Sequence, residues 1–368
     1  MNKVAIIGTR GYPSFYGGFE TAIRQLAPYL STHGWSVTVY GRAHATMSPT
    51  RNDGVTTVMT AGINKKSLST LSYGFTSVLH ALVHKPDVAL VMNVANGFWL
   101  PLLKLRGVPT VVNVDGIEWD RAKWGRLAKA VFRGGAAMTA WWADELIVDA
   151  REIGRRWKAD YKRDGVFIPY GGDVPAMSKA DKNEFENRQY VLLVARFVPE
   201  NSVVEFFEAI SVIRQRLDVV IVGSSGFGGD LDDQARVLSE TFSNVHWLGH
   251  VSDDERLFSL WRNATVYFHG HSVGGTNPAL VQAMASGAPV VARDTPYNRE
   301  VLGPEAILVA PEANAIAEAV TQVASDSEAR SRMATIGRKR AADLYSWEGV
   351  CRDYESTLLR TIKKRGQR

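Results

Sequence analysis

Short, almost wholly apolar runs alternate along this chain with longer stretches in which apolar residues return every three or four positions. The runs are Val4–Ile7, Trp35–Tyr40, Asp87–Met92, Thr110–Val114, Glu145–Asp149 and Gly165–Pro169 in the first half. In the second half they are Tyr190–Val194, Val219–Val222, Val245–Val251, Thr265–Phe268 and Pro289–Ala292. Runs this short and this apolar predict strands buried on both faces. Helical spacing marks Glu20–Leu30, with Ile23, Leu26, Ala27 and Leu30 inward, and Asp253–Asn263, with Leu257, Leu260 and Trp261 inward. It also marks Ala313–Ala324, Glu328–Leu344 and a last helix from Ser346 to about Lys363, with the final residues frayed. Strand and helix in strict turn predict an α/β protein of parallel, doubly wound sheets.

One segment concentrates the chemistry. After the strand Thr265–Phe268, Gly274 and Gly275 allow a sharp turn, and Thr276 or Asn277 can cap a helix with Pro278 in its first turn. Leu280, Val281 and Met284 give that helix an apolar side, and Gly287 ends it. A glycine turn opening onto a helix N-terminus offers bare N–H groups and a positive dipole end, which suits phosphate. The loop over residues 8–19 holds four glycines, more than an ordinary turn needs, yet lacks the spacing of a dinucleotide fingerprint.

Composition narrows the class. At 368 residues the chain expects two domains. Polar, charged Pro175–Arg188 reads as the linker, so the boundary falls between 172 and 173. One cysteine, Cys351, forbids an internal disulfide and suits a reducing, cytoplasmic setting; neither a signal peptide nor a membrane-spanning run is expected. The net charge of +5 suits an anionic substrate or membrane face and does not point to nucleic acid. Arg121–Arg133 carries five cations and no acid, with Trp124, Leu127, Ala128, Val131 and Phe132 on one side. It reads either as a surface for an anionic membrane or as a sheet-packing helix with a solvated face. Trp141 and Trp142 read as core.

The segment His269–Met284, the opening Gly8-Thr-Arg-Gly-Tyr-Pro13 with Tyr16–Thr21, and Asn113–Trp124 together resemble the retaining GT-B glycosyltransferases. Within that family they are most similar to the rhamnosyltransferase-like enzymes of bacterial surface-polysaccharide synthesis. The resemblance runs nearly the full length. It implies two Rossmann-like domains facing a cleft, 1–172 for the acceptor and 173–345 for a nucleotide-sugar, with a helix over 346–366 returning to the first. It also implies hexosyl transfer, with dTDP-L-rhamnose as the best-matched donor and a saccharide or lipid-linked oligosaccharide as acceptor, at the inner face of the membrane. No metal is expected: His269 and His271 have no Cys or carboxylate at ligand spacing.

Candidate site residues follow. Strand ends face the ligand crevice in open parallel sheets. Asp115, after Thr110–Val114, is therefore expected to contact the acceptor hydroxyl, or else to cap a helix, with Glu20, Asn96 and Glu118 also toward the acceptor. The resemblance assigns Arg196 to the diphosphate, and places Gly17, Gly18, Gly223, Ser224, His271, Gly274, Gly275, Thr276 and Asn277 around the donor, with Asn298 and Glu300 weaker candidates near the sugar. Three departures stand out. The usual lysine is Asn201, and the two usual glutamates are Gly274 and Gln282. Two rival readings remain: a nucleotide-sugar epimerase of the same architecture, and a degenerate nucleotide-sugar-binding subunit. Diphosphate release with and without acceptor separates them.

Overall fold

A computed structural model describes residues 1–14, 18–42, 51–64, 68–121, 124–173, 184–226 and 228–367, with the backbone alone at 51 and 52. The chain divides into two compact units, residues 1–170 with 347–368, and residues 171–346.

In the first unit the elements run β1 (Lys3–Ile7), α1 (Gly18–Thr32), β2 (Ser36–Arg42), β3 (Arg51–Asn52), β4 (Val55–Thr60), α2 (Ser69–His84) and β5 (Val88–Met92). Then come α3 (Leu100–Arg106), β6 (Thr110–Asn113), α4 (Arg126–Trp142), β7 (Glu145–Val148), α5 (Arg151–Tyr161) and β8 (Val166–Phe167). The strands form one sheet in the order β3-β4-β2-β1-β5-β6-β7-β8, parallel apart from the β3–β4 pair. The order reverses at β1, as in doubly wound sheets.

The second unit repeats the plan. It contains β9 (Tyr190–Val194), α6 (Val203–Ile213), β10 (Asp218–Val222), α7 (Asp230–Thr241), β11 (Val245–Trp247), α8 (Asp254–Asn263) and β12 (Val266–His269). It continues with α9 (Pro278–Ser286), β13 (Val290–Arg293), α10 (Pro296–Leu302), β14 (Ile307–Val309), α11 (Ala313–Ser325) and α12 (Ser327–Leu344). Its sheet is wholly parallel, in the order β11-β10-β9-β12-β13-β14. Both units are therefore Rossmann-like.

The last helix, α13 (Trp347–Gly366), belongs to the first unit. Val350, Tyr354 and Leu358 join Ile23, Leu26 and Leu30 of α1 over Val4, Ile6, Leu90 and Val111 of the sheet. Two hydrogen bonds to Glu355 fix it there, from Trp35 Nε1 at 2.9 Å and from the Tyr29 hydroxyl at 3.3 Å.

Some expectations shift. The basic helix starts at Arg126, five residues late, because Glu118–Asp120 first form a 3₁₀ turn. It then runs through Trp142, so Trp141, 78% exposed, and Trp142 are both carried to the surface and neither is core. Leu127, on the apolar side of that stretch, is exposed. The tail is helical through Gly366, with Lys364 Nζ 3.1 Å from Glu145, so the fraying expected from Lys363 onward is not seen. Most of the linker lies outside the described residues.

Candidate functional site

Four loops meet at the carboxyl edge of the second sheet, and hydrogen bonds join them. β9 lies between β10 and β12, so the loops that follow these strands are neighbours. From the β10 loop, the Ser224 carbonyl accepts the Phe197 amide at 3.0 Å. Gly223, at φ +129°, passes so close to the β9 loop that a Cβ would fall 1.8 Å from the Ala195 carbonyl oxygen. From the β12 loop, Ser272 donates to the Glu200 carbonyl through both its amide, at 2.9 Å, and its hydroxyl, at 2.8 Å. Ser202 Oγ donates to the Gly270 carbonyl at 3.0 Å. From the β13 side, Asn298, buried, gives both amide hydrogens to loop carbonyls, those of His271 and Arg293, each at 2.9 Å.

On this frame sits the turn into α9. Asn277 is the cap, its Oδ1 accepting the Ala279 amide at 3.0 Å, and Pro278 takes the first helical position. Gly274 stands at φ +107° with open space where a side chain would project. Gly275 and Thr276 are buried beside it. Among the described residues the amides of Gly274 and Gly275 meet no acceptor, so they and the helix dipole remain available to an anion. Gln282 lies one turn into α9, half-buried, with no hydrogen-bond partner among the described residues.

Arg196 follows β9, exposed and without an ion-pair partner among the described residues. Asn201, expected to donate to the diphosphate, does not reach for it. It is buried in the turn Pro199–Asn201, and its Nδ2 donates to the Arg196 carbonyl at 2.9 Å. Its role is to shape the loop that presents Arg196. His271 stacks on His269, ring centroids 4.4 Å apart, so it packs within the loop. His269 is wholly buried, and burial with the neighbouring His271 holds its ring well below the usual imidazole range, hence neutral. Asp294 pairs with Arg299.

The sequence reading missed Arg293. It ends β13, half-buried, with Nη1 3.0 Å from Ser202 Oγ, next in the chain to the Asn201 that replaces the usual lysine. A cation closing a strand of the same sheet was the available signal.

The first unit carries the other candidates. Asp115, just past β6, adopts φ +58°, a left-handed conformation uncommon outside glycine. Its amide donates to Asn113 Oδ1 at 2.9 Å, and Asn113 Nδ2 donates to the Tyr354 hydroxyl at 2.6 Å. Asp115 caps no helix, and its carboxylate, half-buried, accepts no hydrogen bond among the described residues. Burial, then the charges of Asp115 and Asp149, push the Tyr170 phenol well up.

Two acceptor candidates are already committed. Glu118 is buried, accepting from Trp124 Nε1 at 2.8 Å and pairing with Arg121 at 2.6 Å, so it anchors its own turn. Asn96 is buried, its Nδ2 donating to the Met92 carbonyl at 2.8 Å, packed where a Cβ on Gly74 would fall 1.9 Å from its Oδ1. Glu20 stays in play. It lies in the first turn of α1, its Oε1 accepts the Arg10 amide at 3.3 Å, and burial raises its pKa against the pull of Arg10 and Arg42. Gly18 opens α1; Gly17 lies outside the described residues.

Comparison with known proteins identifies the family and the fold. Residues 17–171 match the glycosyl transferase 4-like domain, and residues 177–340 match the glycosyl transferases group 1. The chain is 26% identical to a phosphatidyl-myo-inositol mannosyltransferase of Mycobacterium tuberculosis, over 91% of this chain and 90% of that protein. A sucrose-phosphate synthase from Thermosynechococcus elongatus superposes with a TM-score of 0.81 at 19% identity, over 99% of this chain and all of that one. HepE of Anabaena, solved with UDP, gives 0.77 at 16% identity, over 97% and 99% of the two chains. The chain is a glycosyltransferase of the GT-B fold, built from a 4-like domain and a group 1 domain.

Proposed function

We propose that this glycosyltransferase seats the diphosphate of a nucleotide-activated hexose on the Gly274–Asn277 turn, with Arg196 beside it, and passes the sugar to a hydroxyl of a saccharide or lipid-linked saccharide. The observation that carries the reading is the joining of the β9 and β12 loops through Ser272 and Glu200, which brings an unpaired guanidinium and unpaired amides to the same sheet edge.

The chemical demand is charge on the departing phosphate. As the bond from the anomeric carbon to the phosphate oxygen breaks, amides, helix dipole and guanidinium receive the developing charge without rearranging. Arg293 adds a second cation on the same side of the sheet. We assign Asp115 to the acceptor hydroxyl, whose proton must leave as the new glycosidic bond forms. These groups need no metal, and EDTA should leave turnover unchanged. Retention of anomeric configuration is carried over from the resemblance.

The donor is taken to be a hexose or deoxyhexose. The opening motifs favour dTDP-L-rhamnose, whereas one relative is a mannosyltransferase and HepE was solved with UDP, so the test must cover several donors. An epimerase is not favoured: both family models are of transferases. The experiment incubates the purified chain with GDP-mannose, UDP-glucose and dTDP-L-rhamnose and follows nucleoside diphosphate with and without saccharide acceptors. Acceptor-dependent release supports transfer. Binding without release for every donor and acceptor would mark a binding subunit and end the reading.

A further inference from the structure

Helices α2, α3 and α4 lie side by side in the first unit, α2 against α3 and α3 against α4. Together they hold Lys104, Arg106, Arg126, Lys129 and Arg133 and not one Asp or Glu. Large apolar side chains stand uncovered on them. Phe75, Leu79 and Val83 step along α2, Leu105 near the end of α3 is 85% exposed, and Leu127 and Trp141 on α4 are 81% and 78% exposed. The helix ends are tied together: Arg106 Nε donates to the Leu82 carbonyl at 3.3 Å, and Lys104 pairs with Asp144 just past α4. Val83, Leu105 and Trp141 are therefore near the same end of the layer. The next carboxylate, Glu145, is held by Lys364 at 3.1 Å and Arg360 at 3.5 Å.

Uncovered Leu, Val, Phe and Trp side chains cost hydration free energy, and clustered ones mark a surface that meets something. The charges decide what. A second copy of the chain on a two-fold axis would set this basic face, where Asp144 answers Lys104 and the three helices carry no acid for Arg126, Lys129 and Arg133, against itself, opposing cations with cations. A bilayer face with anionic headgroups meets both needs: headgroups pair with Lys and Arg, and the aromatic and aliphatic tips enter the interfacial layer. We propose that the outer sides of α2, α3 and α4 dock this protein on an anionic membrane surface. Among the described residues no helix is long and apolar enough to cross a membrane, so the contact is a surface one.

The test floats the full chain with vesicles of phosphatidylglycerol and phosphatidylcholine, or of phosphatidylcholine alone. Flotation is expected with the first, little with the second, and release at high salt. The double variant Trp141→Ser/Leu105→Gln should stay at the bottom of the gradient, and each of Lys129→Gln and Arg133→Gln should weaken binding about fivefold. All of these positions belong to the first unit and the Gly274–Asn277 turn and Arg196 to the second, so an unchanged thermal shift with nucleoside diphosphate certifies folding. Equal recovery with charged and neutral vesicles, or variants that float like the parent, would overturn the proposal. So would a dimer in sedimentation that the Trp141→Ser/Leu105→Gln change dissolves, which would give the face to a second copy. Flotation needs no donor or acceptor, so its outcome and that of the transfer assay are independent.

Discussion

Asn113 hands a 2.6 Å hydrogen bond to the Tyr354 hydroxyl and, with its other amide atom, accepts the backbone N–H of Asp115 at 2.9 Å. The last helix thus reaches the candidate acceptor residue through one side chain. Tyr354→Phe leaves Asn113 Nδ2 buried without that partner. A loss of about 1–3 kcal/mol is expected, read as a lower midpoint in thermal unfolding. If the bond also orients Asp115, kcat falls with the donor KM unchanged. A drop in stability with full kcat would confine Tyr354 to folding.

Asp115→Asn keeps the shape and removes the charge. Turnover should fall about a hundredfold or more, the usual scale for a group assisting proton transfer, with nucleotide binding intact. Full turnover in the variant would move the acceptor role elsewhere.

Arg196→Gln and Arg293→Gln probe the two cations at the sheet edge. A charge-assisted bond to phosphate is worth about 1.5–3 kcal/mol, so each variant should weaken nucleoside diphosphate binding at least tenfold by calorimetry. An effect from Arg196 alone would leave Arg293 as a brace for Ser202.

The two missing glutamates make opposite predictions. Gln282 lies half-buried and unbonded on α9, so Gln282→Glu should tighten donor binding if the ribose reaches it. Gly274 sits at φ +107°, which a side chain rarely adopts, so Gly274→Glu should cost about 1–3 kcal/mol and loosen the turn. Calorimetric titration with dTDP, UDP and GDP checks both.

Glu20 supplies the pH test. Burial, as the largest cause, raises its native pKa above the usual glutamate value. The native state therefore holds this proton more tightly than the unfolded chain. Its favourable contribution is complete below the ordinary value and is lost as pH rises through the raised one. Glu20→Gln should gain midpoint temperature over the parent at pH 8 and lose that advantage near pH 4. Parallel pH curves for the two would show that Glu20 titrates normally.

The alternation of apolar runs and helical stretches was enough to read most strands of both sheets, since buried parallel strands leave a run that little else produces; the half-polar β4 and the short β3 and β14 left no such run and went unread. The cap at Asn277 and the bared turn before it were also legible, being local. What depended on distant partners was not. Nothing near Asn201 in sequence says that its amide turns back to the Arg196 carbonyl. Nor does anything near Glu118 announce that Trp124 and Arg121 will claim it. Trp141 and Trp142 misled for another reason: hydrophobicity argues for burial, and only the phase of α4 against its neighbours turns both toward water.

The placement of α13 also bears on synthesis. The second unit is inserted between Tyr170 and Trp347, so its residues are all made before the helix that completes the first. While that half is being translated, the α1 side of the first sheet waits without Val350, Tyr354 and Leu358. The later-made half can mature ahead of the earlier one, which closes only once α13 clears the ribosome. Stop codons that remove α13 should therefore damage the amino-terminal sheet while sparing the half they sit beside.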